Sequence, residues 1–145
     1  MKSWIAPFLI AYCAVTTGAR GQNAPDKPLA DCPKAAEVGQ PHMLGLWQAD
    51  FSGLWQGATL LLENNAHYTE SFSGAVNRDG VRTKVAGDVD NGEFTLEESA
   101  DGQRITATWS GDVVEGSCGR EIRGSWQAAD GSPARGFVLR KQPAR

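Results

Sequence analysis

The side chains able to do chemistry are few and poorly placed for catalysis. Two histidines are present, His42 and His67. No G-x-S-x-G, H-E-x-x-H or Walker loop occurs, so the chain offers no motif for an activated serine, a zinc-bound water or a phosphate cradle. Cys118 lies in the glycine-rich "EGSCG". Its thiol would be a nucleophile only if free, and a disulfide to Cys32 would silence it. Glu70 stands between Tyr68 and Phe72 on one face of an alternating segment and is a candidate buried acid. "DVDNGEFTLEE" (88–98) superficially suits calcium, but Gly92 occupies the fifth position, where a calcium loop needs an oxygen ligand. A solvated acidic hairpin accounts for it. "GREIRG" brings Arg120, Glu121 and Arg123 close enough for cross-strand ion pairing. No catalytic residue, metal site or cofactor is expected.

The aromatic residues are the stronger candidates. Trp47, Trp55, Tyr68, Phe72, Trp109 and Trp126 suit either a packed core or the wall of a cavity holding an apolar or planar ligand. Two of them belong to a repeated tetrapeptide, Gly-Leu-Trp-Gln, at Gly45 and again eight residues later at Gly53. Four matching residues are too few for a structural repeat, and "ADFSG" between the copies reads as a bend. The pair is therefore expected to mark the way into a sheet, with Trp55 buried and Trp47 more exposed, at a barrel end.

The elements that must position these residues are strands. Asp79-Gly80, Asn91-Gly92, Asp101-Gly102 and Asp130-Gly131 are turn signals, because both residue types tolerate positive φ. Between them apolar and polar residues alternate: Phe94 and Leu96 oppose Glu93, Thr95 and Glu97, and Ile122 and Trp126 oppose Glu121, Arg123 and Ser125. Such period-two patterning predicts antiparallel sheet with one wet face. About eight strands are expected: Gly45–Ala49, Gly53–Glu63, Ala66–Ser73, Val81–Val89, Gly92–Glu98, Arg104–Ser110, Gly119–Gln127 and Arg135–Lys141. The fold class is all-β, an antiparallel meander closing as a small barrel, since closure removes both sheet edges; a β-sandwich is the alternative.

The N-terminal segment bears on compartment. Lys2 followed by twelve apolar residues, Trp4 to Val15, and then Thr17-Gly18-Ala19, has the layout of a signal peptide over residues 1–19. Residues 20–43 are a proline-rich arm, 44–141 the barrel domain and 142–145 a tail. Cys32 and Cys118, the cysteines left after cleavage, are expected to pair in an oxidising compartment, tying the arm to the barrel. The net charge of −3, or −4 without Lys2, gives no basic face for nucleic acid. No integral membrane segment is expected after cleavage, and the location is periplasmic or secreted.

The layout resembles the calycin superfamily, the lipocalins and avidins. The resemblance rests on "GLW" at Gly53 to Trp55, on Arg140 in "GFVLRK", and on "TWSGDVVEGSCGREIRGSW" from Thr108, which is similar to the late avidin hairpin. It implies that Trp55 and Arg140 are structural, with the guanidinium stacked over the indole to close one barrel end. The residues of an avidin biotin site have no counterparts that can be placed here.

Two functions remain open. A hollow barrel would bind a small apolar or planar ligand inside or at its mouth, lined by Trp47, Tyr68, Phe72, Trp109 and Trp126. A filled barrel would be a protein-binding module of the cell envelope, such as a hydrolase inhibitor, working through its loops. An enzyme is not expected.

Overall fold

Alternation along each strand, combined with turns too short for crossovers, makes every strand pair with the next one in sequence. A computed structural model describes residues 32–144. The expected signal peptide and the arm before Cys32 lie outside the described residues. Eight strands follow one another: β1 (Gly45–Phe51), β2 (Ala58–Asn64), β3 (Ser71–Arg78), β4 (Val81–Asp90), β5 (Glu93–Ser99), β6 (Ala107–Val113), β7 (Glu121–Ala128) and β8 (Arg135–Lys141). All pairings are antiparallel, and β1 also pairs with β8, with Ala49 opposite Leu139, so the meander closes into a barrel.

The turn chemistry is as the residue types demand. Asp79-Gly80 and Asn91-Gly92 have positive φ at both positions, as a two-residue I′ hairpin requires. Asp101-Gly102 and Asp130-Gly131 sit in longer connections, where only the glycine is left-handed. Gly111 and Gly124 face each other across β6 and β7. A Cβ on Gly124 would meet the Ser110 carbonyl oxygen at 2.0 Å, so only glycine permits these two strands to approach and coil this closely.

Three strands are displaced by three or more residues from the sequence reading, one of them the sixth, which runs over Ala107–Val113 rather than Arg104–Ser110. The third strand runs over Ser71–Arg78 rather than Ala66–Ser73. The Asn65 side chain accepts hydrogen bonds from the His67 and Tyr68 amides, at 2.9 and 3.2 Å, which curls 65–70 into a loop. The second strand begins at Ala58, not Gly53, because 52–57 is the β1–β2 connection.

Antiparallel order puts the connections at alternate ends of the barrel. One end, the plug end, carries the β2–β3, β4–β5 and β6–β7 loops and the entry to β1. The other, the rim end, carries the β1–β2, β3–β4, β5–β6 and β7–β8 loops.

The described part of the arm is packed on the plug end. A 3-10 turn (Ala35–Glu37) lies against β6, and α1 (Gln40–Met43) lies against β2, β3 and β4. Val38 and Met43 are buried in the core. The Ala35 amide donates to the Glu115 carboxylate at 2.9 Å, Gln40 donates to Asn64 at 2.6 Å, and Cys32 is disulfide-bonded to Cys118 in the β6–β7 loop. The disulfide is compatible with an oxidising extracellular compartment.

Candidate functional site

The inward positions of all eight strands are filled. Trp47, Phe72, Phe94 and Trp109 have no solvent exposure, and Leu60, Leu96, Ile122 and Leu139 are equally covered. Phe72 and Phe94 stack at 5.8 Å near the plug end, while Trp109 packs on Phe137 at 4.9 Å and Phe51 at 5.3 Å toward the rim. Trp47, Phe72 and Trp109, expected as possible ligand wall, are thus core, touching other side chains where a ligand would sit. Several hollows are open to solvent on the outside, among them one of about 650 Å³ between Leu46, Lys141 and Pro143. Another of about 470 Å³ lies between Pro41, Arg120 and Lys141, and one of about 420 Å³ beside Tyr68 on the outer wall.

At the plug end the closing tryptophan is Trp47, with Lys141 above it. The Trp47 indole N–H donates to the Met43 carbonyl at 2.7 Å. Lys141 Nζ lies 5.9 Å from the centre of the Trp47 ring and donates to the His42 carbonyl at 2.6 Å. Burial, and secondarily the neighbouring Arg120 charge, lowers the Lys141 pKa below its ordinary value.

These contacts correct the expected roles of Trp55, Trp47 and Arg140. Trp55 is 91 % exposed in the β1–β2 loop and Trp47 is 0 % exposed. "ADF" is no bend: Trp47, Ala49 and Phe51 continue one inward parity, so β1 belongs to the first Gly-Leu-Trp and the second falls beyond its end. Arg140 has the wrong parity for stacking inside, because Phe137, Leu139 and Lys141 take the inward side of β8. Arg140 points out and pairs with Asp50 at 2.9 Å, with Glu121 more distant at 3.9 Å. Tyr68 and Glu70 lie in the exposed 65–70 loop, so Tyr68 lines no interior and Glu70 is not a buried acid.

The buried acid is Glu98, at the rim end, 3 % exposed. One carboxylate oxygen accepts three charge-assisted hydrogen bonds: from the Trp109 indole at 2.7 Å, the Trp126 indole at 2.9 Å and the Arg78 guanidinium at 2.9 Å. Arg78 stacks 5.1 Å from the centre of the Trp126 ring and 5.4 Å from that of Phe51. Trp126 is half-buried, which makes it the one residue of the expected ligand wall that reaches the mouth. This node closes the barrel with a cation over an indole, as Lys141 does at the other end. Glu98 was legible in the sequence, since it extends the inward parity of Phe94 and Leu96. Its charge hid it.

Outside the node, the rim exposes several large apolar side chains. Leu54 and Trp55 in the β1–β2 loop, Val81 after the β3–β4 turn and Ile105 in the β5–β6 loop are all exposed. The β1–β2 loop "SGLWQG" (52–57) carries no charge. Arg82, Lys84, Arg104 and Arg135 stand at the bases of the rim loops, exposed and in no ion pair among the described residues. The carboxylates of Asp101 and Asp130 are turned into their own loops, where hydrogen bonds from Arg104 and Gln103 backbone amides and from Ser132, respectively, lower their pKa values. Among the described residues no group of three or more His, Cys, Asp or Glu side chains could hold a metal ion, and no helix is long and apolar enough to cross a membrane. No protein-family model matches this chain, and no curated protein matches it in sequence.

Proposed function

We propose that this protein is an exported, non-catalytic binding module that works through its rim loops, with Trp55 as the central contact residue. The observation that carries this reading is the pairing of a filled interior with a fully exposed indole at one end. Packed aromatic side chains occupy the inward positions where a small ligand would lie. A tryptophan left in water on a rigid scaffold is the residue type that most often anchors a binding surface. Gly53 and Gly57 bracket the Leu54-Trp55-Gln56 tip, and the Ser52 amide bonds the Gly136 carbonyl at 2.9 Å, so the loop is tied to the barrel at its base. Of the two expectations from sequence, the loop-using module on a filled, disulfide-stabilised barrel is the one favoured.

Native mass spectrometry of the chain purified from its own compartment tests this. Trp55→Ala is expected to remove whatever co-purifies, whereas Tyr68→Ala, at another exposed aromatic on the other end, leaves it bound. A small molecule retained by Trp55→Ala would place the site elsewhere and overturn the proposal.

A further inference from the structure

The rim end carries two kinds of group in one arrangement, and that arrangement selects the surface it meets. Its exposed apolar side chains come from two loops and one strand start around the barrel mouth: Leu54 and Trp55, Ile105, and Val81 at the head of β4. They form a ring of tips rather than a single knob, and the protruding loop among them is uncharged. Behind the tips stand Arg82, Lys84, Arg104 and Arg135, none of them ion-paired among the described residues. The rim loops hold three carboxylates, Asp79, Asp101 and Asp130, and two of these accept backbone hydrogen bonds within their own loops. The plug end is the more acidic, with Glu37, Glu63, Glu70, Asp90, Glu93 and Glu115 around Lys34, Arg120 and Lys141. In a chain that is acidic overall, the rim end sets four unpaired cations behind its apolar tips against three loop carboxylates, and so carries the less negative balance of the two ends.

We infer that the rim end docks on an anionic lipid surface. This rests on the reading of the rim as the binding end. Trp55, Leu54, Val81 and Ile105 would enter the interfacial layer, and the four cations would meet lipid phosphates. Indoles favour that layer because one edge is apolar and the N–H can stay wet. Basic residues just behind the apolar tips add attraction that operates within a Debye length of a negative surface. Several tips spread round a mouth match a plane, whereas a protein pocket takes one anchor at its centre.

Vesicle sedimentation with the intact exported chain is the test, using vesicles of phosphatidylcholine alone and of phosphatidylcholine mixed with phosphatidylglycerol. The mixed vesicles are expected to take up the protein, with release at high salt and a blue shift of tryptophan emission on binding. Trp55→Ala should lower the partition coefficient by about tenfold or more through lost apolar contact, with the blue shift lost as well. Arg82→Gln/Arg104→Gln should weaken uptake by the mixed vesicles while leaving the melting temperature unchanged, since both side chains are exposed. Equal sedimentation with the two vesicle types, or Trp55→Ala binding like the wild type, overturns the lipid inference. If vesicles fail to bind while Trp55→Ala still strips a co-purifying protein, the rim remains the binding end and its partner is protein. If neither measurement responds to Trp55→Ala, both readings fall.

Discussion

The two ends of this barrel solve the same problem with different chemistry. Each must cover an opening between eight strands, and each does so by holding a cation over an indole. At the plug end the cover is mostly apolar: Met43 and Val38 are buried, Trp47 is bonded to a backbone carbonyl, and a disulfide fixes the arm that brings them. At the rim end the cover is ionic: Glu98 gathers Arg78, Trp109 and Trp126 on one oxygen. An apolar plug needs an extra segment of chain laid across the opening. An ionic node is made wholly from strand residues, so among the described residues no segment is laid across the mouth to close it. The difference gives the proposed rim surface its physical reason: the end closed from within does not use its loops as a cover.

The largest expected effect sharpens this contrast at the plug end. Trp47→Ala removes a fully buried indole and should lower stability by about 3–5 kcal/mol, measured by urea unfolding. Breaking the disulfide with Cys32→Ser/Cys118→Ser comes next, at about 2–5 kcal/mol, and should also speed exchange of amides near Met43. At the rim, Glu98→Leu strands two indole N–H groups and a guanidinium. It should cost about 2–4 kcal/mol, below the range for a fully buried pair because Arg78 is partly solvated. Glu98→Gln keeps an acceptor and should lose less. A Glu98→Leu protein as stable as the wild type would mean that the rim is closed by packing, and would erase the contrast. Trp55→Ala should change stability by no more than about 0.5 kcal/mol, as for other exposed substitutions. The smallest effect belongs to Asp101→Asn in the β5–β6 loop. Hydrogen bonds from the Arg104 and Gln103 amides hold the Asp101 pKa below its ordinary value, so its contribution is present above the unfolded pKa and is lost as pH falls through the lower folded one. The difference between wild type and Asp101→Asn should therefore shrink on acidification through and below the usual carboxylate range.

Much of the fold was legible because period-two alternation and Asx-Gly turns are local signals. Asp79-Gly80 and Asn91-Gly92 mark hairpins that need no tertiary knowledge, and the Cys32–Cys118 pairing was legible from the expectation that a signal peptide takes Cys13 with it and leaves two cysteines. The site was less legible. Gly45-Leu46-Trp47 and Gly53-Leu54-Trp55 are locally equivalent, and only the pairing of β1 with both β2 and β8 distinguishes them. Inward parity through Trp47, Ala49 and Phe51, and through Phe137, Leu139 and Lys141, would have chosen Trp47 with Lys141 over Trp55 with Arg140. Glu98 escaped notice because a carboxylate contradicts the usual inside rule, and its three donors come from β3, β6 and β7, far apart in sequence. The third strand was misplaced because Asn65 caps a loop from within an apparently alternating stretch.

The pairing of β1 with β8 has a consequence for how the molecule comes into being. Those strands lie at opposite limits of the barrel sequence, so the ring has no smaller closed form and the chain must hold an open edge until its final strand arrives. Closure over so long a separation makes folding slow relative to a local hairpin, with the transition state waiting on a loop-closure event. A crosslink between Cys32 and Cys118 formed before β8 docks would shorten that search, since it holds the arm that leads into β1 beside the loop that leads into β7. Oxidation timing, rather than any single packing contact, would then set how long an unpaired strand is on offer to a neighbouring chain.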